Sequence, residues 1–349
     1  MRAVCSCIAV AVTLTGMQAS GQTSSLSAVG TWQISTKTGL LGTLQVNADN
    51  GTGWMISSGT PCPTLNPARI TLATLFPPGA VYVYFNLNGS AVTLMGNGGL
   101  SIGQYTLNGR QLENFTGSQE GAPSLTALVN AASFSGPPSP GSIASLFGQR
   151  LSSTASTAPG SIPLPLQLSG TSLCIGTQQV PLWYSSPSQI NFQVPTETTA
   201  GAKNIVATTG GISAVAVANI QEASPAVFTY STNRAVAVNV SDGSLNDSAH
   251  PAKVNDIITV YMTGIGPVDH PVQTNTAAST TLLSRATSTA AASIGGAPAV
   301  IQFLGLTPAT IGLAQANIVI PVLPAGDYPL ALTVDNVASN SAIVSVRAN

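Results

Sequence analysis

Two tyrosines, Tyr82 and Tyr84, lie two residues apart in VYVYF, and Trp183 and Tyr184 stand side by side in PLWYS. Such rings join an apolar body to a polar tip, the chemistry that stacks on a sugar ring and bonds its hydroxyls. In a strand, Val81, Val83 and Phe85 point one way and Tyr82 and Tyr84 the other, with Trp32 or Trp54 as neighbours that could enlarge the platform. The competing reading, which the residue types favour, is core packing or cover by a neighbouring module, the usual fate of aromatic side chains.

Catalytic chemistry finds less support. Gly99-Leu100-Ser101-Ile102-Gly103 fits the G-x-S-x-G pattern of a hydrolase nucleophile elbow. That elbow needs a strand before it, a helix after it and a histidine to take the serine proton. Its flanks here read as turn and strand, and His250 and His270 belong to a distant part of the chain. The glutamates, Glu113, Glu120, Glu197 and Glu222, all lie beside linkers or turns, with no second carboxylate at short spacing. Glycoside cleavage needs an opposed pair. Asp242, Asp247, His250, Asp269 and His270 form the densest ionisable group and could offer oxygen ligands to calcium or part of a nitrogen site. Their spacing fits no EF-hand loop, and Asp242-Gly243 is a ready turn former. The sequence therefore points to no catalytic residue, no metal site and no cofactor.

Charge narrows the partners. Charged residues make up 6 % of the 349 and the net charge is −1. The three lysines, Lys37, Lys203 and Lys253, and the seven arginines are scattered singly. This excludes the clustered cations that neutralise nucleic-acid phosphates or bind anionic membrane surfaces. The partners that fit are polar and uncharged, polysaccharide or another extracellular protein.

The first 21 residues have a basic start at Arg2, an apolar run and a small polar end, the pattern of a secretory signal peptide. The run is too short to span a bilayer, and no second long apolar stretch follows. The chain is expected to be secreted, periplasmic or at the cell surface. Cys62 and Cys174 would then remain, and an oxidising compartment would permit a bridge between them. Cys62 lies in the loop PCP and Cys174 in the apolar run SLCI, where a small buried hydrophobe is the favoured reading.

The elements behind these residues are strands. Residues 23–115 read as a small antiparallel sandwich or barrel, with VGTWQI, LLGTLQV, AVYVYFNL and SAVTLMG separated by DNGTG and NLNG turns. Residues 116–124, TGSQEGAPS, read as a linker. Beyond it, QINFQVP at 189–195 recurs as QANIVIP at 315–321, with Gln, Asn and Pro at the same offsets. Each run alternates apolar and polar residues and ends on a proline, as a half-buried strand should. Ile-Gly at 175–176 and 294–295, and Ala-Gly at 200–201 and 325–326, extend the correspondence. Two copies of one β-unit are expected, at 125–222 and 229–349, with a hinge around 221–231. The repeated Gln and Asn are expected to bond backbone at a strand edge or turn.

LVNAASFSGPPSPGSIASLFGQRL, LWYSSPSQINFQVP, DGSLNDSAHPAKVNDIITVYMTGIGPV and GDYPLALTVDNVASNSAIVSV together resemble the uncharacterised C-terminal domain of Solibacter-type secreted proteins, over residues 124–349. The resemblance implies export and an immunoglobulin-like sandwich, and supplies no functional residue. The fold class is thus all-β: tandem immunoglobulin-like sandwiches after a small β-module. The expected function is non-enzymatic, in extracellular or cell-surface interaction or adhesion. The alternatives are carbohydrate binding through the N-terminal module, and a secreted hydrolase whose site has no recognisable motif.

Overall fold

The computed structural model describes residues 30–37, 39–47, 49, 51–57, 62–63, 65–72, 80–87, 90–97, 102–107, 110–118 and 123–348. The expected signal peptide, Asn88-Gly89, Glu120 and the Gly99, Leu100 and Ser101 of the elbow motif lie outside the described residues. All the regular structure described is strand.

The first eight strands are β1 (Gly30–Thr36), β2 (Gly39–Val46), β3 (Thr52–Ser57), β4 (Leu65–Leu72), β5 (Ala80–Leu87), β6 (Ser90–Asn97), β7 (Ile102–Leu107) and β8 (Arg110–Ser118). They run antiparallel in sequence order, and β1 pairs with β8 as well as β2, closing a barrel. Closure removes the free edges that an open sheet of this length would expose. Trp32, Ile34, Leu44, Met55, Val83, Phe85 and Leu94 fill the interior, each on the alternate position of its strand. Thr116, Gly117 and Ser118 pair with β1, so the first part of the expected linker belongs to the barrel wall.

The first sandwich holds β9 (Ser124–Asn130), β10 (Ile143–Gln149), β11 (Ser156–Thr157), β12 (Gln167–Leu168), β13 (Thr171–Ile175), β14 (Gln178–Gln179), β15 (Leu182–Ser185), β16 (Gln189–Gln193), β17 (Gly201–Thr209) and β18 (Ile212–Ile220). A sheet of order β11-β15-β16-β10-β9 faces one of order β12-β13-β17-β18, which β14 joins through β13. Leu146, Leu173, Leu182, Ile190, Phe192, Val194 and Ile205 pack between them, all fully buried or nearly so.

The second sandwich opens with β19 (Ala226–Val227), β20 (Thr229–Tyr230), β21 (Arg234–Ala235), β22 (Ala237–Asn239), β23 (Ala252–Lys253) and β24 (Ile257–Thr263). It continues with β25 (Ala290–Ile294), β26 (Ala297–Ala299), β27 (Ile301–Leu306), β28 (Ala314–Val319), β29 (Gly326–Val334), β30 (Val337–Ala338) and β31 (Ala342–Arg347). One sheet runs β19-β24-β28-β27 and the other β20-β21-β31-β29-β25-β26. Its core includes Ile258, Val260, Ala316, Ile318, Ile320, Leu330, Leu332 and Val344. The segment expected to be a hinge is built in: Ala226 and Val227 pair with β24, and Phe228 is buried.

The two sandwiches share the strand arrangement around the repeated motif. β16 lies between β10 and β15, as β28 lies between β24 and β27. A bulge falls between Leu182 and Tyr184 in β15 and between Ile301 and Phe303 in β27. Gly176 and Gly295, the glycines of the repeated Ile-Gly, hold φ of 59° and 60°, a left-handed turn that favours glycine. The recurring Gln and Asn bond side chain to side chain, correcting the expectation of backbone partners. Gln189 Nε2 and Ser145 Oγ both donate to Asn191 Oδ1, at 2.8 and 2.9 Å. Gln315 Nε2 and Thr259 Oγ1 both donate to Asn317 Oδ1, at 3.1 Å each. Alternation sends these polar groups to the outer sheet face while Ile190, Phe192, Ala316 and Ile318 go in.

The modules are fastened together. Cys62, between β3 and β4, forms a disulfide with Cys174 in β13, the reading that the sequence disfavoured. Cys174 alternates with the inward Leu173 and Ile175, so its thiol leaves the first sandwich and meets the barrel. Around the bond, Ile56 from the barrel packs with Val206 and Val215. β18 is an edge strand, and Gln45 of β2 caps it: its side-chain amide bonds both the N–H and the carbonyl of Val215. At the other junction, Thr263 Oγ1 accepts from Ile143 N and donates to the carbonyl of Gly312, 2.9 Å each. Asn130 Nδ2 donates to Ser224 O at 2.7 Å. Asn275 bonds both the N–H and the carbonyl of Leu164, at 2.7 and 2.9 Å.

Candidate functional site

The barrel interior takes Val81, Val83 and Phe85, so alternation along β5 turns Tyr82 and Tyr84 outward. Their rings lie parallel within 8°, with centroids 6.3 Å apart. Tyr84 keeps 42 % of its surface exposed and Tyr82 is half-buried, so neither reaches the core. The docked face of the barrel is carried by β2, β3 and the start of β4, through Gln45, Trp54, Ile56 and Leu65. β5 lies beyond it and is left to solvent. Across the strands, Tyr84 stands opposite Arg69 of β4 and Thr93 of β6, and Tyr82 opposite Met95. Arg69 is exposed, and Thr93 and Met95 are half-buried. The patch offers two ring faces, two phenol hydroxyls, a guanidinium and a thioether on one wall of the barrel.

The tryptophans expected beside it are elsewhere. Trp32 is in the barrel interior. Trp54 packs on the Cys174, Val206 and Val215 cluster where the barrel meets the first sandwich. Trp183 packs with Ala132, Ile143, Phe228 and Leu313 at the junction of the two sandwiches, so it serves packing there. Tyr184 is half-buried opposite Asn191 and Thr157 on the outer face of the first sandwich. Trp183 and Tyr184 fall at the bulge of β15, where the alternation of the strand is interrupted, and the two rings meet different neighbours.

The ionisable cluster is spent on turns. Asp242 Oδ1 accepts from the amide and hydroxyl of Ser244, at 2.9 and 2.6 Å, and these bonds lower its pKa, the hydroxyl most. Asp247 Oδ1 accepts from the amides of Ala249 and His250 and meets the His250 ring at 3.1 Å. Asp269 Oδ1 accepts from Arg285 N at 2.7 Å and meets the His270 ring at 2.9 Å. No group of three metal-ligating side chains occurs among the described residues. Both His–Asp pairs sit at exposed turns, and no hydroxyl or thiol bonds either ring among the described residues.

A cleft of about 550 Å³ opens at the junction of the sandwiches, between Pro140–Ser142, Thr196–Ala200 and Gly264–Val268. Glu222 places a carboxylate in its lining. Ser142 Oγ donates to Ser139 O at 2.6 Å, so this hydroxyl serves a turn. Gly264 in the wall holds φ +81°, and a Cβ there would stand 1.9 Å from Ser224 O. Its glycine thus serves the approach of two backbones.

No protein-family model and no curated protein matches the chain. Neither comparison supports the expected resemblance to the Solibacter-type C-terminal domain. Among solved structures, it is similar to SGBP-B of the Bacteroides ovatus mixed-linkage glucan utilization locus, solved with a mixed-linkage heptasaccharide. Identity is 11 %, coverage 92 % of this chain and 60 % of that one, and the TM-score 0.30. Domains 4–9 of the surface layer protein SbsC match at 10 % identity, over 91 % of this chain and 47 % of that one, with a TM-score of 0.21. The titin I9–I11 tandem matches at 9 % identity, over 85 % and 92 %, with a TM-score of 0.18. The chain spans less than two thirds of the first two.

Proposed function

We propose that the protein is a non-catalytic extracellular binder of polysaccharide, engaging it through the outer face of the barrel at Tyr82 and Tyr84. The parallel, solvent-facing rings carry this reading. Aromatic surface left in water on a rigid strand forgoes the burial it could have had, and sugar rings recover that term while the phenols and Arg69 bond hydroxyls. The disulfide accords with an oxidising compartment outside the cytoplasm. The tandem sandwiches act as the support that holds the barrel in place.

The test is binding of the whole protein to a panel of soluble glucans, xylans and mannans by calorimetry. Tyr82→Ala/Tyr84→Ala should weaken binding to the best polymer by roughly tenfold or more, about 1.4 kcal/mol or above. Both side chains face away from the barrel core, so the variant should keep the wild-type melting profile. Equal affinity of variant and wild type would remove the tyrosine face from the function.

A further inference from the structure

The strand position that places Tyr184 opposite Asn191 in the first sandwich places Phe303 opposite Asn317 in the second. Around Phe303 the outer sheet face dips into a depression of about 260 Å³, lined in part by Arg285, Gln302, Gln315 and Asn317. No acidic residue lines it among the described residues. The guanidinium carbon of Arg285 sits 4.8 Å from the centre of the Phe303 ring. A guanidinium held on an aromatic face keeps its hydrogen-bonding edge directed outward. The backbone beneath is fixed by a bridge from Arg285 to Gly305 and by the bond from Arg285 N to Asp269. The Arg285 side chain forms no ion pair among the described residues.

The amide ladder completes the surface. Asn317 Oδ1 is occupied by Thr259 and Gln315, which leaves Asn317 Nδ2 as a donor and Gln315 Oε1 as an acceptor on the same face. Gln302 is exposed beside them. The first sandwich repeats the ladder without the charge: Thr157 and Ser156 of β11 stand opposite Tyr184 and Ser185. The duplicated surface thus carries a cation in one copy, with no ion-pair partner for its side chain among the described residues.

The geometry points to a second binding site on the second sandwich, built for an anionic sugar unit. Its oxyanion meets the Arg285 fork, and its hydroxyls meet the amides of Gln302, Gln315 and Asn317. Carboxylate and sulfate groups share this chemistry, since both present paired oxygens to a guanidinium. The inference is independent of the tyrosine face, which lies on another module.

Binding of polygalacturonate, dextran sulfate and dextran to the whole protein tests it, in the Tyr82→Ala/Tyr84→Ala background so that the barrel face cannot contribute. At low salt the protein should bind at least one anionic polymer and bind dextran more weakly. Arg285→Gln should weaken the anionic binding by at least roughly tenfold. Arg285→Lys should restore it in part, because an ammonium keeps the charge and loses the fork. Lys253→Gln, which removes an exposed cation elsewhere, should change nothing. A preference for polygalacturonate assigns the site to uronates, and one for dextran sulfate to sulfate esters. The inference is overturned if neither anionic polymer binds, if Arg285→Gln binds as its parent, or if Lys253→Gln loses as much.

Discussion

Glu197 shows how one side chain couples two modules. It follows β16 of the first sandwich and accepts from the hydroxyl and amide of Thr274 in the second, while Gln178 Nε2 donates to the same oxygen as the Thr274 hydroxyl. Partial burial pushes its pKa up, but the Thr274 hydroxyl and the Gln178 amide outweigh that and hold it at about 2, below the ordinary 4.5. A folded pKa below the unfolded one means stability that is fully present above pH 4.5 and is lost as pH falls towards 2. Urea midpoints measured from pH 6 to pH 2 should therefore fall more steeply for wild type than for Glu197→Gln, and the two should converge at the acid end. Parallel curves would deny Glu197 this role. Nothing in PTETT announces it, because Thr274 is 77 residues away.

At the scale of elements, the Gln–Asn ladder explains why a polar triplet recurs in two strands. Asn191→Ala would leave the Gln189 and Ser145 donors without their acceptor, and Asn317→Ala would do the same to Gln315 and Thr259. Asn317→Ala should cost about 1 kcal/mol, the lower part of the range for a lost acceptor, since its partners are half-buried, and Asn191→Ala roughly 2 kcal/mol, because Ser145 is fully buried. The two changes lie in different sandwiches and should add in the double variant. Denaturant titration measures both, and a double variant no worse than either single one would break the claim of independent copies. Gly264→Ala is expected to cost more, at least about 2 kcal/mol, because the new Cβ meets Ser224 O at 1.9 Å on a backbone at φ +81°.

At the scale of the molecule, one cross-strand pair separates the two copies. Cys174 stands opposite Val206, while the equivalent positions in the second sandwich are Ser293 opposite Ala331. The first pair is buried under the barrel; Ser293 is half-buried and Ala331 exposed. The first sandwich is thus apolar on both faces of its β13-β17-β18 sheet, and the second on one. Reduction of the disulfide, or Cys174→Ser, should destabilise the docked barrel by roughly 2–4 kcal/mol, the usual worth of a disulfide that closes a long loop. Hydrogen exchange at the Val215 amide, capped by Gln45, should quicken while Ile318 of the second sandwich stays protected. Unchanged exchange at Val215 after reduction would show that the apolar contact suffices without the bond.

What the sequence determined by itself was local and periodic. Alternation assigned the inward residues of QINFQVP, QANIVIP and VYVYF, because a strand's two faces depend on nothing beyond its own chain. Repetition established the paired sandwiches, since equal spacing of like residues demands equal packing. What only the tertiary structure decided was who covers the outward face. Trp54 and Cys174 are covered by another module, Trp183 by the neighbouring sandwich, and Tyr82 and Tyr84 by neither, although all read alike in one dimension. The cause is that the partner of an outward side chain comes from far along the chain, 112 residues away for the disulfide, and its identity is a matter of docking rather than of pattern.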